Sequence, residues 1–549
     1  MKEKDYLLTQ YILFKQLGGS KKKWTTFIHN GVLFPPEYIQ HGNPVVFKGQ
    51  NIYLSKEAEE IATLYAKCYD SEYVKNKVFR KNFWHDWKKT LSGTEIDNLE
   101  DCDFTLIYKH ILNEKQRKKE MPKEEKELIK AEKENKEEMY KYAYVDDKKQ
   151  SIGNYQVEPP GIFIGRGCHP KLGKVKKRIH PEDITLNLSK GAPVPKTLEG
   201  HQWKKIIHDN TVEWIASWRD NITKKIKYVW LSDKSDFKVA SDINKFDKAR
   251  KLKSKIKKIR EENNINLKST DMVIKQIATA LYFIDNLALR VGNEKGDDTS
   301  DTVGVTSLRV EHILLQDNNK ITLDFLGKDS VRYYNTFTVD EQIYNNIKEF
   351  TVNKKPENDI FDKINSNDLN KYLQNFMKDL TAKVFRTYNA SFLFQKELNS
   401  ISKKFSEYDK DDKIKILLEE FNKANAKVAI LCNHQKNVSK TFDTQIEKID
   451  ERIQELKNEI LILRKEPVTD KITLKINKIK ENIKKLKIKK SLKNEIKNIS
   501  LGTSKVNYID PRISVAFIKK HNIPIDKIFS KTLQEKFKWA FDVDENYEF

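Results

Sequence analysis

The sequence predicts an α+β fold divided among several domains. A chain of 549 residues is longer than one hydrophobic core usually supports, and 38% hydrophobic residues are enough to build several cores. Up to about residue 236, short apolar runs alternate with turn residues, as expected of strands. From about Phe237 onward, apolar residues recur at helical spacing instead. The chain is therefore predicted to begin as a mixed α/β region and to continue as a mainly helical one.

The first quarter of the chain predicts short strands and a capped helix. Residues 27–33, 44–47 and 51–54 have the composition of strands bounded by turns. Residues 55–66 follow as a helix with Ser55 as its N-cap and with glutamates in its first turns, where the helix dipole favours negative charge.

Two further helices are predicted before residue 143. Residues 80–91 carry Phe83, Trp84 and Trp87 among basic residues, and aromatics at this spacing more often belong to a core than to a nucleic-acid contact. Residues 116–142 are highly charged and poor in large apolar side chains, which predicts one long solvated helix that acts as a spacer between two bodies.

Residues 158–190 combine prolines and glycines with a dense basic cluster. The run GRG places Arg166 between two glycines, and Lys174 and Lys177 follow within the cluster. A loop of this composition suits a phosphate backbone or a DNA groove, although Gly-Arg-Gly also occurs in ordinary turns.

The helical half begins with residues 271–290, which predict an amphipathic helix with a cap at Thr270 and a stop at Gly292. Arg290 then falls in the last turn of this helix. An arginine at such a position complements the helix dipole, and this is the favoured interpretation of Arg290 when it is considered alone.

Residues 321–337 alternate like a β-hairpin whose turn holds Lys328, Asp329 and Ser330. Taken alone, Lys328 is more typical of a solvated turn lysine. The functional alternative is that a lysine at a hairpin tip reaches into a groove and hands a proton to a leaving oxygen.

Two more helices are predicted to end at polar residues. Residues 368–389 end in KVFRTYN, which contains Arg386, and residues 413–435 end in AILCNHQ, which contains His434. A histidine at a helix end is usually a cap or a partner of the helix dipole, so neither segment identifies a catalytic group by itself.

Residues 501–511, LGTSKVNYIDP, set Tyr508 among small, polar and cationic neighbours. The hydrogen-bond donors before it are Thr503, Ser504, Lys505 and Asn507. A tyrosine beside a turn is more often a packing residue. The combination of two arginines, one lysine, one histidine and a tyrosine, however, could supply donors for the oxygens of a phosphoryl transition state and a nucleophile in line with the leaving group.

Two helices with a heptad seam are predicted between His434 and Tyr508. Their apolar residues alternate steps of four and three, and the five-residue joint EPVTD makes the pair antiparallel. Residues 441–470 carry a net charge of −3 and residues 471–500 one of +9, so the second helix is predicted to lie nearer to a polyanion.

The composition favours a nucleic-acid partner. The formal net charge of +23 comes from 103 basic and 80 acidic residues, and the lysines recur along the whole chain. An AT-rich genome is the alternative explanation of the charge, since it enriches lysine.

The four cysteines form no C-x-x-C pair, so neither a zinc site nor a disulfide framework is indicated. The sequence shows neither a signal peptide nor a membrane span, so a soluble intracellular protein is expected.

Several long motifs occur in a characteristic order. They are FRKNFWHDW at 79–87, EPPGIFIGRGCHPKLG at 158–173, LYFIDNLALRVGNEK at 281–295, DTVGVTSLRVEHI at 301–313, DFLGKDSVRYYN at 324–335, LTAKVFRTYNAS at 380–391, AILCNHQ at 429–435 and LGTSKVNYIDPRI at 501–513. On these motifs the chain resembles eukaryotic-type DNA topoisomerase I of the type IB class, from about Lys22 to Phe549.

The resemblance implies a two-lobed DNA clamp. It has a mixed α/β upper lobe, a mainly helical catalytic lobe, an antiparallel coiled-coil linker and a small helical C-terminal domain. We place these domains at residues 1–236, 237–436, 437–498 and 499–549.

The resemblance also implies the chemistry. Tyr508 attacks a DNA phosphodiester and becomes linked to the 3′ phosphate, while Arg290, Arg386 and His434 stabilise charge on the non-bridging oxygens. Lys328 acts as the general acid for the 5′ hydroxyl. Rotation of the free end relaxes supercoils before the strand is resealed.

The expected partner is duplex DNA, preferentially supercoiled, bound by a monomer in the nucleus, with no membrane association. The expected DNA contacts are Arg166, Lys174, Lys177, Asn293, Lys295, Asp329, Ser330, Lys383, Thr503 and Asn507. No cofactor is expected, because the family requires neither ATP nor a metal, and the sequence has no P-loop and no obvious carboxylate cluster for Mg²⁺. Larger members of the family carry a charged N-terminal region with nuclear-localisation signals. This sequence contains little of that region.

Arg166, Asp329 and Asn507 match family residues that border the cleaved site and contact camptothecin-type poisons, so sensitivity to these drugs is expected. Ile164 stands where the family often has arginine, so one minor-groove contact is expected to be missing.

Two rival functions stay open. A tyrosine recombinase uses a similar Arg/Lys/His/Tyr set, and a non-enzymatic DNA clamp would explain the charge and the aromatics.

Overall fold

A computed structural model of the protein describes residues 22–293, 300–404, 413–436, 438–439, 441–465, 467 and 469–549. Within these ranges the chain mixes helices with short β-sheets and divides into two compact units. Of the described residues, 22–242 and 300–301 belong to the first unit, and those from 243 to 293 and from 302 to 549 belong to the second. The predicted DNA contact Lys295 lies outside the described residues.

Between residues 22 and 235, the described part of the first unit contains short strands and four helices. Its strands are β1 (Phe27–His29), β2 (Val45–Phe47), β3 (Gln50–Ile52), β4 (Cys102–Asp103), β5 (Tyr142–Val145), β6 (Lys148–Ser151), β7 (Gly161–Ile162), β8 (Val175–Lys176), β9 (Thr185–Asn187), β10 (Lys205–Ile207), β11 (Trp214–Arg219) and β12 (Ile226–Trp230). Its helices are α1 (Lys56–Ala66), α2 (Lys77–Trp87), α3 (Thr105–Glu120) and α4 (Lys123–Glu138).

The strands of the first unit form small separate sheets. Their orders are β1-β5-β6, β3-β2-β4 and β10-β9-β11-β12, and β7 pairs with β8 as a hairpin. All of these pairs are antiparallel except β9 with β10. The loop that contains Arg166 connects β7 and β8, so the predicted basic loop is held at both ends by strand pairing.

Local sequence signals predicted the early elements but not all of their bounds: the helix predicted over 80–91 is α2, Lys77–Trp87, and the strand predicted over 27–33 is the shorter β1. The Ser55 side chain accepts the N–H of Ala58 at 3.4 Å and caps α1 as predicted. In α2, Phe83 and Trp87 are fully buried and Trp84 is partly buried. The aromatics of α2 are therefore core residues, which confirms the structural interpretation of their spacing.

The prediction of one long helix over residues 116–142 is wrong. α3 ends at Glu120, and α4 begins at Lys123 after Pro122. Proline has no N–H to donate and disfavours helical backbone at the residue before it, which is Met121 here. Met121 accordingly has an extended ψ of 137°, and the chain restarts as a second helix.

Helices dominate from residue 236 onward. They are α5 (Asp236–Lys253), α6 (Ile256–Asn266), α7 (Met272–Asn286), α8 (Glu341–Thr351), α9 (Ser366–Gln374), α10 (Ala382–Lys404), α11 (Lys413–Leu431), α12 (Phe442–Leu463), α13 (Asp470–Glu495), α14 (Leu501–Asn507), α15 (Pro511–His521) and α16 (Lys531–Lys536). One antiparallel sheet accompanies them, in the order β13 (Ile313–Gln316), β14 (Lys320–Leu326) and β15 (Arg332–Thr338). No described helix combines the length and the apolar content needed to cross a bilayer.

A single large core holds the second unit together. It includes Phe283 of α7, Phe325 of β14, Phe385 of α10 and Phe517 of α15, all 7% exposed or less. Because side chains from far along the chain share this core, the segments that carry the predicted catalytic residues pack on one scaffold.

The first helix of the predicted catalytic half begins and ends at different residues from those expected. The carboxylate of Asp271, not the side chain of Thr270, caps α7 by accepting the N–H of Val273 at 2.8 Å. α7 ends at Asn286, and Ala288 then adopts a positive φ of 48°. Arg290 therefore lies beyond the helix and is not a residue of its last turn.

The prediction of one helix over residues 368–389 is also wrong. α9 ends at Gln374 and α10 begins at Ala382, because Asp379 between them has a positive φ of 60°. Arg386 consequently stands in the second turn of a 23-residue helix and not at a helix end. α11 likewise ends at Leu431, three residues before His434.

α12 and α13 pack against each other through buried isoleucines and leucines. Lys490 lies 2.6 Å from Asp450, and Lys475 lies 3.6 Å from Glu459, so the two helices run antiparallel. The buried residues of this cluster are Ile449, Ile453, Leu456, Ile460, Leu463, Ile479 and Ile483.

Candidate active site

Arg386 is the centre of a polar cluster in the second unit. Its guanidinium donates from Nη1 to the carbonyl of Ala288 and from Nη2 to the carbonyl of Cys432. These residues follow the C-terminal ends of α7 and α11, where helix carbonyls carry partial negative charge. Only 5% of Arg386 is exposed, so the two carbonyls compensate a cation that would otherwise be costly to bury.

One N–H group of the Arg386 guanidinium donates no hydrogen bond within the described residues. Its Nε is buried and has no hydrogen-bond partner among the described residues. Arg386 also lines a pocket that Arg290 and Lys328 share, together with Tyr333 and Asn433. Three cations around one concave site favour an anionic ligand, and the unused N–H of Arg386 is a donor that such a ligand could satisfy.

His434 follows α11 and is held by several contacts. Its backbone N–H donates to the carbonyl of Ala429 at 2.9 Å, and its carbonyl accepts the N–H of Ser500 at 2.7 Å. Its ring nitrogen Nδ1 lies 2.7 Å from the Ser504 hydroxyl oxygen, and Nε2 lies 3.4 Å from Nη2 of Arg386. Both ring nitrogens therefore already have partners in the protein.

The imidazole of His434 is neutral at physiological pH. Burial is the largest cause and lowers its pKa to about 3, and the positive charges of Arg386 and Arg290 act in the same direction. Burial also lowers the pKa of the Arg386 guanidinium. A neutral imidazole can donate one N–H to an anion without adding a further charge to the site.

Tyr508 lies against both of these residues. The guanidinium carbon of Arg386 is 5.0 Å from the centre of its ring, and the His434 ring centre is 5.1 Å away. The tyrosine is half-buried on the short connection between α14 and α15. Asp510 caps α15 by accepting the N–H of Arg512 at 3.0 Å, so Pro511 begins a helix and the residue before it is extended, as predicted.

The main chain at Tyr508 is tied to the helix that carries Arg386. The Ser391 hydroxyl in α10 donates to the Tyr508 carbonyl at 3.0 Å and accepts the N–H of Asp510 at 3.0 Å. The Tyr508 N–H in turn donates to the Ser504 carbonyl at 2.9 Å. Arg386 and Tyr508 are therefore fixed relative to each other by backbone contacts as well as by their side chains.

A close contact between two glycines positions Arg290. A Cβ on Gly292, whose φ is +92°, would lie 2.9 Å from the carbonyl carbon of Gly304, and a Cβ on Gly304 would overlap the Gly292 backbone. This approach lets the Arg290 carbonyl accept the N–H of Val305 at 2.9 Å. Arg290 thus stands on a segment clamped to its neighbour, with its side chain partly exposed at the pocket.

The hairpin of β14 and β15 forms as predicted, with Lys328, Asp329 and Ser330 at its tip. Asp329 and Ser330 both have positive φ, of 68° and 57°. The Lys328 side chain is exposed and contributes to the same pocket as Arg290 and Arg386. The structure therefore brings the predicted general acid and two predicted anion-binding arginines to one pocket.

Other predicted DNA contacts of the second unit lie at the surface or near the Tyr508 segment. Lys383 is exposed one turn before Arg386 on α10. The Asn293 side chain accepts a hydrogen bond from Ser366 at 2.8 Å. Asn507 is exposed, and its side chain donates to the carbonyl of Thr503 at 3.1 Å.

The predicted contacts of the first unit differ in their exposure. Arg166 and Lys177 have exposed side chains, and Lys174 is partly buried. Lys174 lies 3.2 Å from the carboxylate of Asp86, and Arg178 of the same cluster lies 2.6 Å from Glu60. A phosphate would have to compete with Asp86 for Lys174, so part of the basic cluster is neutralised within its own unit.

Sequence reasoning missed several residues of the site. It did not identify the carbonyls of Ala288 and Cys432 or the bridging hydroxyl of Ser391, although Ser391 closes the motif LTAKVFRTYNAS. It also named Lys505 among the donors before Tyr508, whereas in the structure its side chain already has a partner in the protein. Burial lowers the pKa of Lys505, and its ammonium donates to the carbonyl of Ile528.

No group of three or more histidine, cysteine, aspartate or glutamate side chains is placed to hold a metal ion in the part of the chain that the structure describes. The four cysteines are all free within these ranges.

Comparison with known proteins identifies relatives along nearly the whole chain. The family models described as "Eukaryotic DNA topoisomerase I, DNA binding fragment", "Eukaryotic DNA topoisomerase I, catalytic core" and "C-terminal topoisomerase domain" match residues 22–231, 234–467 and 480–549. DNA topoisomerase 1 of Homo sapiens is 44% identical over 96% of this chain and 72% of its own length.

Two further relatives match this chain with similar identity and coverage. DNA topoisomerase 1 of Caenorhabditis elegans is 44% identical over 96% of this chain and 68% of its own length. DNA topoisomerase 1 alpha of Arabidopsis thaliana is 45% identical over 97% of this chain and 60% of its own length. The chain thus spans about three fifths of the length of this plant relative.

Proposed function

Because the chain belongs to the eukaryotic DNA topoisomerase I family, we propose that it is a type IB DNA topoisomerase. It relaxes positive and negative supercoils by transient cleavage of one DNA strand, without ATP or a metal ion. The observation that carries this proposal is the contact of Tyr508 with Arg386 and His434. A nucleophile, a buried cation and a neutral donor are the groups that phosphoryl transfer from DNA to tyrosine needs.

In the proposed reaction, the Tyr508 oxygen attacks a DNA phosphorus in line with the 5′ oxygen. The Tyr508 O–P bond forms, the P–O5′ bond breaks, and the tyrosine proton is lost to solvent. One phosphodiester is exchanged for another, so the phosphotyrosine bond conserves the energy needed for resealing. The reverse attack by the 5′ hydroxyl releases Tyr508 after the strand has rotated.

Charge develops on the non-bridging oxygens as the tyrosine attacks. Arg386 offers its unused Nε–H, Arg290 adds a second cation at the same pocket, and His434 adds a neutral N–H. Preorganised donors of this kind each contribute about 100- to 1,000-fold in rate, because they need not reorganise during the reaction.

Lys328 is the proposed general acid for the 5′ oxygen. Its exposed position at a hairpin tip gives the ammonium the reach to approach a leaving group, and it shares the pocket with the two arginines. Lys328→Ala should slow cleavage far more than it weakens binding. A substrate with a 5′-bridging sulfur needs little protonation and should restore most of the lost rate.

We extend the proposal to the architecture that the family implies. Residues 1–236 and 237–436 would form the two lobes of a clamp around duplex DNA, α12 and α13 the linker within 437–498, and residues 499–549 a C-terminal domain. The net charge of +23 supports DNA as the partner. Preference for supercoiled DNA, action as a monomer, and location in the nucleus belong to the same proposal.

The exposed side chains of Arg166, Asp329 and Asn507 support a further expectation, sensitivity to camptothecin-type poisons. Trapping of covalent protein–DNA complexes by such a drug would test it. No increase of trapped complexes over the untreated reaction would contradict it.

The decisive experiment is relaxation of supercoiled plasmid in EDTA without ATP. Wild-type protein should relax both positively and negatively supercoiled DNA, and Tyr508→Phe should relax neither while still binding DNA. Tyr282→Phe is a matched control, because Tyr282 is a partly buried tyrosine of α7 that does not line the pocket, and its loss should leave an active enzyme.

The rival functions give different results in the same assays. A tyrosine recombinase would exchange DNA ends between specific sites. A non-enzymatic clamp would bind DNA without any covalent adduct to Tyr508. Relaxation that requires Mg²⁺ or ATP, or an adduct that survives in Tyr508→Phe, would refute the proposed mechanism.

A further inference from the structure

Ser504 contacts both halves of the candidate active site. It lies in α14 and is fully buried, and its hydroxyl oxygen is 2.7 Å from Nδ1 of His434. Its carbonyl accepts the N–H of Tyr508 at 2.9 Å and that of Ile509 at 3.0 Å. One residue therefore bonds to the histidine through its side chain and to the tyrosine through its main chain.

The hydrogen bonds around His434 define which ring nitrogen carries the proton. An arginine can only donate, so Nη2 of Arg386, 3.4 Å away, requires an unprotonated Nε2. A neutral imidazole then has its proton on Nδ1, and the Ser504 hydroxyl accepts it. In this arrangement His434 has no N–H to offer to a ligand.

Stabilising an anion demands the opposite arrangement. Nε2 must carry the proton in order to donate to a phosphate oxygen, and Nδ1 must then accept a hydrogen bond. A hydroxyl can do both, since it has one donor and two acceptor sites, whereas a carboxylate or a carbonyl only accepts. Ser504 is thus a partner that satisfies Nδ1 in either state.

We propose that Ser504 is a positioning residue that lets His434 exchange between its two neutral tautomers as a phosphate anion displaces Arg386 from Nε2. The imidazole gives up the proton on Nδ1 to solvent and takes one from water on Nε2, so its charge and its proton count are unchanged. The Ser504 hydroxyl rotates from acceptor to donor at the same time. The role of the phosphate in this inference rests on the proposed function.

The surroundings explain why a hydroxyl suits this position. A carboxylate here would hold the proton on Nδ1 permanently and would attract the nearby guanidinium of Arg386. An alanine would leave Nδ1–H buried without an acceptor, which is costly. Serine keeps the ring oriented and neutral while allowing either tautomer.

The first test observes the tautomer directly and needs no DNA. Protein labelled with ¹⁵N-histidine is studied by long-range ¹H–¹⁵N spectroscopy, and His434→Gln identifies the signals of His434. Wild type should show the Nδ1–H tautomer, and Ser504→Ala should shift the population towards Nε2–H. Ser514→Ala, at an equally buried serine in α15, should leave the spectrum unchanged. An identical tautomer in wild type and Ser504→Ala would overturn the inference.

The second test measures cleavage of a nicked suicide substrate in a single turnover. Ser504→Ala should slow cleavage about 10- to 100-fold relative to Ser514→Ala with an unchanged Kd for DNA, because the Nε2–H state would then lack the donor that pairs with Nδ1 and orients the ring, and an unpaired buried acceptor costs about this much. Ser504→Thr retains the hydroxyl and should cleave within about threefold of wild type.

Cleavage by Ser504→Ala at the rate of Ser514→Ala would overturn the inference, as would equal losses in Ser504→Thr and Ser504→Ala. If wild type itself fails to cleave, the proposed function falls, and the tautomer spectrum still decides the role of Ser504.

Discussion

Replacing Arg386 by lysine separates the presence of a cation from the geometry of the guanidinium. The planar fork of arginine donates to two carbonyls, of Ala288 and of Cys432, that come from different segments. A lysine ammonium is a point charge on a flexible stem, and it can satisfy one of these carbonyls while the other is left buried without a donor.

The structure sets the size of both expected effects. Losing one hydrogen bond to a charged donor costs about 1.5–3 kcal/mol, which should lower the unfolding temperature of the second unit by about 5 °C. The Nε–H that is free for a ligand disappears entirely in Arg386→Lys. Removal of one preorganised donor should slow strand cleavage about 100- to 1,000-fold.

Two measurements check this prediction. Calorimetry follows the unfolding temperature, and single-turnover cleavage of a suicide substrate follows the chemistry, with the Kd for DNA measured in parallel. Arg260→Lys is the matched control, because Arg260 also makes a bidentate contact, with Asp285, but half of its side chain is exposed. Cleavage by Arg386→Lys within threefold of wild type would refute the argument that guanidinium geometry matters.

Three further results are expected. His434 should show no titration between pH 5 and 8 in NMR spectra, because its pKa is lowered to about 3, and a midpoint near 6.5 would contradict its burial. Its contribution to the free energy of unfolding should be complete above pH 6.5 and should be lost as the pH falls towards 3. Ser391→Ala removes the hydroxyl that bridges the main chain at Tyr508, so the cleavage rate should fall about tenfold with unchanged DNA affinity, and an unchanged rate would show that the bridge is dispensable. Gly304→Ala should lower both stability and cleavage because its Cβ would overlap a neighbouring backbone, whereas Gly502→Ala, which meets no atom within 4 Å, should be tolerated; equal effects would contradict the close-contact argument.

Elements with purely local causes were predictable from the sequence. The N-cap at Ser55 and the hairpin around Lys328 depend on residues within a few positions of each other. The apolar seam of α12 and α13 likewise follows from spacing alone. In each case the segment itself contains the physical cause. That cause is a side chain that caps an N–H, a turn, or a periodic apolar face.

The predicted helix boundaries were wrong where non-glycine residues adopt left-handed backbone conformations. Ala288 and Asp379 both have positive φ, which ends or interrupts a helix, and alanine in particular has no local preference for it. The carbonyl of Ala288 is an acceptor for Arg386. Tertiary contacts therefore stabilise this conformation, and periodicity could not reveal it.

The sequence by itself determined the residue types available for chemistry, the family, and the segments that carry Arg386, His434 and Tyr508. Only the tertiary structure decided that these three side chains meet, and that burial beside two arginines keeps His434 neutral. It also decided that Ser504 faces His434 while Lys505 turns inward to Ile528. The physical reason is that burial and electrostatic environment arise from contacts between segments distant in sequence, and no local pattern specifies them.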